Sequence, residues 1–266
     1  MIDAIMITAG TLAVLLLLFI SLIRKGKKNR IVLPMPENYR ELLNRHVLFY
    51  QKLDEQGRKH FEDRVQYFLS GVRITGVNTA VEDLDRVLIG ASAIIPIYAF
   101  PDWEYVNLNE VLLYPETFSE EFEQEGSRRS VLGMVGSGAM QNVMILSRHA
   151  LRQGFSNKTD KNNTAIHEFV HLIDKTDGDV DGVPDVLLSN QYTLPWLDMM
   201  HKKIREIMKN RSDIDPYGAT NQAEFFAVVS EYFFERPDLL RSKHPELYGI
   251  LNKMFSRSSE ETGTAV

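Results

Sequence analysis

Cysteine is absent from the 266 residues of this chain. Its absence excludes disulfide bonds, thiolate metal ligands and a cysteine nucleophile, and it leaves histidine, aspartate and glutamate as the side chains able to bind a metal. The 44% of hydrophobic residues excludes disorder over most of the chain, so a sizeable core can form. A cysteine-free chain fits either side of a membrane, and the composition therefore does not fix the compartment.

Basic residues are concentrated in the first 30 positions. These positions hold five basic residues and one acidic residue, Asp3, and so carry a net charge of +4. Because the whole chain has a net charge of −6, the remaining residues carry −10. General nucleic-acid binding needs a basic face, so the acidic body argues against nucleic acid as a direct partner.

A long run without charged residues occupies positions 4–23, AIMITAGTLAVLLLLFISLI. At 1.5 Å per residue, a helix of about 20 residues spans ~30 Å, the thickness of a bilayer's hydrocarbon core. The alternatives are a buried helix and a cleaved signal peptide, but the basic residues follow the run instead of preceding it. We therefore predict a transmembrane anchor and basic juxtamembrane segment over residues 1–30. The positive-inside rule predicts a single-pass protein of the inner (cytoplasmic) membrane, with the domain that follows facing the cytosol.

Helical and strand-like patterns are mixed without regular alternation over residues 31–255. Apolar residues recur at helical spacing over positions 37–70, 81–95, 194–209, 221–234 and 245–255, and NVMILS at 142–147 has the length of a strand. This mixture predicts an α+β domain, rich in helices in its second half, with a disordered tail at 256–266. The glycine-rich segment GMVGSG is predicted to be flexible.

The stretch TAIHEFVHLIDKTDG at residues 164–178 contains two histidines four positions apart. Positions i and i+4 lie on one face of a helix, so His167 and His171 can bind one metal ion while Glu168 reaches a water on it. With zinc, this arrangement suits metal-assisted hydrolysis with a carboxylate as the base. The alternative is an amphipathic helix whose apolar residues pack while the histidines contact solvent. Asn163 or Thr164 can cap the helix in either case.

A catalytic zinc ion usually has a third protein ligand, and several residues are candidates. Asp177 follows the second histidine by six positions, but no glycine turn precedes it. Glu224 and Glu231 lie seven positions apart in NQAEFFAVVSEYFFERP, on nearly one face of a mostly apolar helix, where a buried carboxylate needs a cation. His201 and His244 stand in polar surroundings and are predicted to be surface residues.

Three separated segments resemble a known family. HEFVHLID, YGATNQAEFFAVVSEYFFERPDLL and HPELYGILNKMF resemble, in this order, the Mlc titration factor A family of zinc-dependent peptidases, over roughly residues 38–255. YGATNQAEFFA is also similar to the active-site segment of anthrax lethal factor, in which a tyrosine precedes the ligand glutamate by seven residues. The resemblance implies a zincin-like metallopeptidase fold and Zn²⁺ as the cofactor. It implies that His167, His171 and Glu224 are the metal ligands, that Glu168 is the general base and that Tyr217 donates a hydrogen bond to the oxyanion.

The function predicted from these observations is a membrane-anchored zinc metallopeptidase that acts on a peptide or protein substrate. The strand at 142–147 is predicted to be the sheet edge that pairs with the extended substrate. Either Asp174 or Glu231 is expected to orient a ligand histidine, and the sequence leaves that choice open. The alternative function is a binding protein that sequesters a transcriptional regulator at the membrane, because the family resemblance implies such a partner.

Overall fold

The computed structural model describes residues 32, 35–116, 133–135, 142–157, 159–188 and 190–256. The predicted membrane-spanning run at 4–23, the basic segment after it and the tail from 257 onward lie outside these residues. The described residues from 35 onward form one compact unit, and the elements below belong to it.

Helices dominate the described residues, which confirms the predicted helix-rich α+β domain. The helices are α1 (Glu37–His46), α2 (Leu48–Gln51), α3 (Glu55–Gly71), α4 (Asp83–Ile94), α5 (Arg148–Ser156), α6 (Thr164–Asp174), α7 (Asn190–Met208), α8 (Gln222–Glu235), α9 (Pro237–Lys243) and α10 (Pro245–Phe255). The strands are β1 (Arg73–Gly76), β2 (Glu110–Tyr114), β3 (Gly133–Val135) and β4 (Val143–Ser147). Two short 3₁₀ helices cover Lys175–Asp177 and Pro216–Ala219.

The four strands form one sheet in the order β1-β2-β4-β3, in which β3 is antiparallel to its neighbour and the other pairs are parallel. Strand β4 is paired on both sides, because Met144 is opposite Val111 of β2 and Ile145 is opposite Met134 of β3. The prediction that residues 142–147 form a free edge is therefore wrong. The edge on this side of the described sheet is β3, which lies within the glycine-rich segment predicted to be flexible.

Helix α6 carries the two histidines and packs against α8, β3 and β4. Asn163 is its N-cap, as the sequence suggested, because the Asn163 side chain accepts a hydrogen bond from the N–H of Ile166 at 3.2 Å. Apolar side chains of α6 such as Phe169 and Val170 are fully buried in the core. Since these positions fill the core, His167 and His171 share the face that remains.

The predicted membrane helix requires a correction. A helix that spans a bilayer needs about 20 mostly apolar residues without several charges. Within the described ranges, no helix is both long and apolar enough to cross a membrane. Even α7, with 19 residues, carries charged side chains along its length and is amphipathic. The described residues therefore do not support the predicted fold with an N-terminal membrane helix or the predicted single-pass localisation in the inner membrane.

Candidate metal centre

Two helices bring three metal-binding side chains to one place. His167 and His171 lie on consecutive turns of α6, and Glu224 lies in the first turn of α8. The Asn221 side chain caps α8 by accepting a hydrogen bond from the N–H of Glu224 at 2.9 Å. One ligand atom from each of the three residues lies within 4.8 Å of the other two. The structure therefore brings together the three residues that the resemblance implied as ligands.

The distances between these ligand atoms fit one divalent cation. Nε2 of His167 is 2.9 Å from Oε2 of Glu224 and 3.0 Å from Nε2 of His171. Nε2 of His171 is 3.4 Å from Oε2 of Glu224. Ligands placed tetrahedrally at ~2.0–2.2 Å from zinc are about 3.3 Å apart. Three electron-rich atoms at this spacing repel one another unless a proton or a cation lies between them, so the residues present fit a metal ion.

Glu231 holds the other edge of the His167 ring. Its Oε1 lies 2.7 Å from Nδ1 of His167, and its Oε2 accepts a hydrogen bond from the N–H of Asn163 at 2.5 Å. A carboxylate at Nδ1 favours a proton there, which leaves Nε2 to face the other ligand atoms. Asp174 instead accepts a hydrogen bond from the N–H of Gly182 at 2.8 Å. Of the two candidates for orienting a ligand histidine, Glu231 is the one that contacts it.

The charges within the cluster shift the pKa values of its members. Burial would lower the pKa of His167, but hydrogen bonds with Glu224 and Glu231 outweigh burial and raise that pKa well above its usual value. Burial would raise the pKa of Glu224, but hydrogen bonds with His167 and His171 lower it to about 2. Glu224 is therefore ionised near neutral pH and able to bind a cation.

Glu168 lines the same cleft as the three ligand residues, although it is almost completely buried. Burial raises the pKa of Glu168, and the neighbouring histidines only partly oppose that effect. The backbone of β3 forms one wall around the side chain, because a Cβ at Gly133 would lie 2.7 Å from both Cγ and Oε1 of Glu168. Any larger residue at this position of the strand would therefore displace the Glu168 side chain. Gly133 is not among the site residues predicted from the sequence, because it stands in a glycine-rich segment without a distinguishing pattern.

Tyr217 lies in the 3₁₀ helix Pro216–Ala219, with its ring centroid 6.0 Å from that of His167. Its side chain is 54% exposed and borders the cleft, which has a volume of about 900 Å³. Partial burial raises the pKa of Tyr217, and the negative charges of Glu224 and Glu168 raise it further. The phenol therefore keeps its proton at neutral pH and remains a hydrogen-bond donor.

The remaining candidates do not join this cluster. Asp177 is exposed in a 3₁₀ helix, and His201 is exposed and 3.0 Å from the side-chain nitrogen of Gln222. His244 is buried and lies 2.7 Å from Asp213, so its predicted surface position is wrong. Across the part of the chain that the structure describes, the cluster on α6 and α8 is the one group of three such residues arranged to hold a metal ion.

Comparison with known proteins adds independent evidence. A family model described as glucose-regulated metallo-peptidase M90 matches residues 23–256. An uncharacterized protein of Synechocystis sp. is 30% identical over 237 residues, which cover 84% of each chain. Mlc titration factor A of Pectobacterium atrosepticum is 30% identical over 161 residues, 55% of this chain and 58% of that protein. The same-named protein of Serratia proteamaculans is 29% identical over 165 residues, 56% of this chain and 60% of that protein. The chain thus spans a little over half of these two relatives.

Fold and site together define a helix-rich domain with a candidate centre for one metal ion. The residues of this centre come from a helix with the pattern His-Glu-x-x-His and from a glutamate on a later helix. The family model covers most of the sequence, and the chain therefore belongs to the glucose-regulated metallo-peptidase M90 family. The resemblance to the Mlc titration factor A family is confirmed by these relatives. Membership supports a metal-dependent peptidase as the class of protein.

Proposed function

We propose that the protein is a zinc-dependent metallopeptidase. The observation that carries this proposal is the convergence of His167, His171 and Glu224 beside the carboxyl group of Glu168. Structural zinc sites normally have four protein ligands, whereas catalytic zinc sites have three and keep one position open. The cluster offers three ligands and borders a cleft of about 900 Å³, so it fits the catalytic pattern.

Each residue of the centre has a distinct role in this proposal. Zinc, when bound, supplies a Lewis acid that polarises the peptide carbonyl and the attacking water. Glu168 accepts the proton of that water and delivers it to the leaving amine, and the burial that raises its pKa makes it a stronger base. Tyr217 donates a hydrogen bond from its phenol to the oxyanion that forms at the carbonyl.

An extended peptide fits best along the outer edge of β3. This strand ends the described sheet on the side of α6, and its residue Gly133 contacts Glu168. A substrate strand added there lies beside the base and is bound through its backbone. Methylation of one backbone nitrogen outside the scissile bond is therefore expected to raise KM about tenfold, the effect of one lost hydrogen bond. An unchanged KM would contradict this placement.

The first experiment compares the full-length chain with its Glu168→Gln variant, which keeps the shape of the side chain but not its basicity. Both proteins are expected to bind about one zinc ion per chain, measured by elemental analysis. Hydrolysis of a mixed peptide library is expected to fall by about 10²–10⁴-fold in the variant. Glu246→Gln, at an exposed position of α10, is the matched control and should keep its activity. A wild-type protein that binds no zinc would refute the proposal.

The same assay tests the role of Tyr217. Tyr217→Phe removes the phenol hydroxyl and leaves the ring that borders the cleft, so substrate binding is retained while oxyanion stabilisation is lost. We expect kcat to fall by about 10²-fold with little change in KM. An unchanged kcat would exclude the assigned hydrogen bond.

A second candidate function is capture of a transcriptional regulator. The name of the relatives, Mlc titration factor A, supports a regulator of the Mlc type as the partner. Binding alone does not need the base, so Glu168→Gln is expected to bind a purified Mlc-type regulator with the wild-type affinity. Isothermal titration calorimetry measures both affinities, and the absence of a complex with either protein would eliminate this function.

A further inference from the structure

A second cavity, of about 620 Å³, lies on the far side of α6 from the candidate metal centre. Ile166 of α6 lines this cavity, while the next residue, His167, lines the metal cleft. Six aromatic side chains line it: Phe49, Tyr98, Phe155, Phe233, Phe234 and Phe255. Cavities of this size with apolar walls and a few polar groups are the usual sites for small molecules.

Glu235, the last residue of α8, is the acidic residue that lines this apolar cavity. Its Oε1 accepts a hydrogen bond from the side-chain amide of Asn163 at 2.9 Å, so the partner is neutral. Burial raises the pKa of Glu235 to about 7, which the charge of Lys52 and the amide only partly oppose. A carboxyl group in such surroundings is stabilised as the anion by a nearby cation. The chemistry of the wall therefore favours a ligand with an apolar body and a positive end.

Asn163 connects the cavity to the metal centre through successive hydrogen bonds. Its amide nitrogen donates to Glu235 at 2.9 Å, and its backbone N–H donates to Glu231 at 2.5 Å. Glu231 in turn lies 2.7 Å from Nδ1 of His167. The same Asn163 caps α6, the helix that carries both histidines. A cation that pairs with Glu235 withdraws negative charge from the acceptor of the Asn163 amide, and so acts on the support of His167.

We propose that this cavity is a binding site for a small molecule with an aromatic or aliphatic body and a primary amine, whose ammonium group pairs with Glu235, and that its occupancy alters metal affinity through Asn163. The binding part of this inference is independent of the peptidase function, because it does not involve a metal. The coupling part rests on the proposed metal centre and is tested by metal binding instead of by hydrolysis.

Three probes with the same body but different ends test the binding site: phenylbutylamine, phenylbutanol and phenylbutyrate. Calorimetry on the full-length, metal-free protein is expected to give an amine affinity at least about tenfold higher than that of the carboxylate, a difference of ~1.4 kcal/mol. Lys52 is exposed at the same cavity and would favour the carboxylate, so tighter binding of phenylbutyrate overturns the assignment. Binding by none of the three probes also overturns it.

Two pairs of variants locate the bound amine. Glu235→Gln is expected to remove the preference for phenylbutylamine, whereas Glu246→Gln, at an exposed position, should retain it. Ala99→Met places extra volume in the cavity and is expected to abolish binding of all three probes, whereas Val106→Met adds the same group at a position 81% exposed. Thermal unfolding followed by circular dichroism checks that each variant is folded. Amine binding that survives both Glu235→Gln and Ala99→Met would place the site elsewhere.

The coupling is measured as the change in zinc affinity with saturating phenylbutylamine. Coupling between two sites typically changes affinity by about fivefold or more, and zinc must change the affinity for the amine by the same factor. Glu235→Gln should remove the effect, which separates it from direct binding of the amine to zinc. An amine that binds in the cavity without changing zinc affinity would overturn the coupling and leave the binding site established.

Discussion

Two clusters of ionisable side chains, both contacting α8, have opposite balances of charge. One is the candidate metal centre, and the other surrounds Asp213. The carboxylate of Asp213 is contacted by three basic side chains and a hydroxyl group, at 2.9 Å from Lys161, 3.1 Å from Lys243, 2.7 Å from His244 and 2.8 Å from Tyr232. In this cluster, one carboxylate therefore accepts hydrogen bonds from several donors, and basic side chains outnumber acidic ones.

In the metal centre this balance is reversed, because Glu168, Glu224 and Glu231 stand around two histidines. At Asp213, burial would raise the pKa of the carboxyl group, but the surrounding hydrogen bonds lower it well below its usual value. A cluster that is already neutralised stabilises the fold, whereas a cluster with an excess of carboxylates is completed by a cation from outside.

Hydrogen bonding distinguishes the two clusters in the same way. Among the described residues, five buried side-chain atoms have no hydrogen-bond partner, and two of them lie on α6: Nδ1 of His171 and Oδ1 of Asp174. A buried unpaired polar atom costs about 1–3 kcal/mol, and native proteins tolerate such costs mainly at functional sites. The comparison therefore favours a structural role for the Asp213 cluster and supports the function proposed for the candidate metal centre.

The largest expected effect is a loss of zinc affinity when one of the predicted metal ligands is removed. His171→Ala leaves two ligands, and zinc affinity should fall by more than about 100-fold, because loss of a group that only supports a ligand already costs about 10–100-fold. Competition with a chromophoric chelator measures the affinity. Asp213→Asn is the control and should bind zinc as tightly as the wild type. Equal affinities for His171→Ala and the wild type would remove His171 from the site.

An intermediate effect is expected from Glu231→Gln. The amide keeps the shape of the side chain but lacks the charge that holds the proton on Nδ1 of His167, so zinc affinity should fall by about 10–100-fold. At saturating zinc, the variant is expected to bind as much metal as the wild type, and its loss of affinity should be smaller than that of His171→Ala. Glu246→Gln provides the exposed control. An unchanged affinity would show that Glu231 does not position the ring.

The smallest effect is expected for Asp213→Asn, and it concerns stability. The substitution removes the ion pairs that Asp213 makes with three basic side chains, and the free energy of unfolding at pH 7 should fall by about 2 kcal/mol. The pKa of Asp213 is lower in the folded protein than its ordinary value of 3.8. Its stabilisation is therefore fully present above about pH 5 and is lost as the pH falls.

Urea unfolding of the metal-free proteins at several pH values measures this effect. The difference between the wild type and Asp213→Asn should shrink as the pH is lowered from about 6 to about 3. Asp177→Asn, at an exposed position, is the control and should unfold like the wild type at neutral pH. A difference that stays constant with pH would show that the charge of Asp213 is not the source of the stabilisation.

The sequence predicted the parts of the site that depend on local patterns. Helical spacing alone places His167 and His171 on one face, and Asn163 was one of the two capping residues that the sequence predicted, with Thr164 as the other. The choice of Glu224 needed the family resemblance, because the apolar pattern of α8 accommodates Glu231 equally well. The two glutamates contact different sides of the same ring, and helical periodicity does not distinguish those sides.

Long-range pairing could not be predicted in the same way. Strand β3 has three residues in a glycine-rich segment, and only its pairing with β4 makes it a strand. The substrate edge was therefore assigned to residues 142–147, whose apolar run is typical of a strand but whose backbone is paired on both sides. The buried position of His244 has a similar cause, because its partner Asp213 lies 31 positions away.

Asn163 shows how narrowly one position can restrict the choice of amino acid. Its side-chain oxygen accepts a hydrogen bond from the start of α6, and its side-chain nitrogen donates one to Glu235. Aspartate would cap the helix equally well but has no donor, and it would place a second acid against a carboxyl group. Serine has one polar atom where two are used at once. Asparagine is the capping residue that carries both a donor and an acceptor on one short side chain. The position therefore favours asparagine over aspartate and serine.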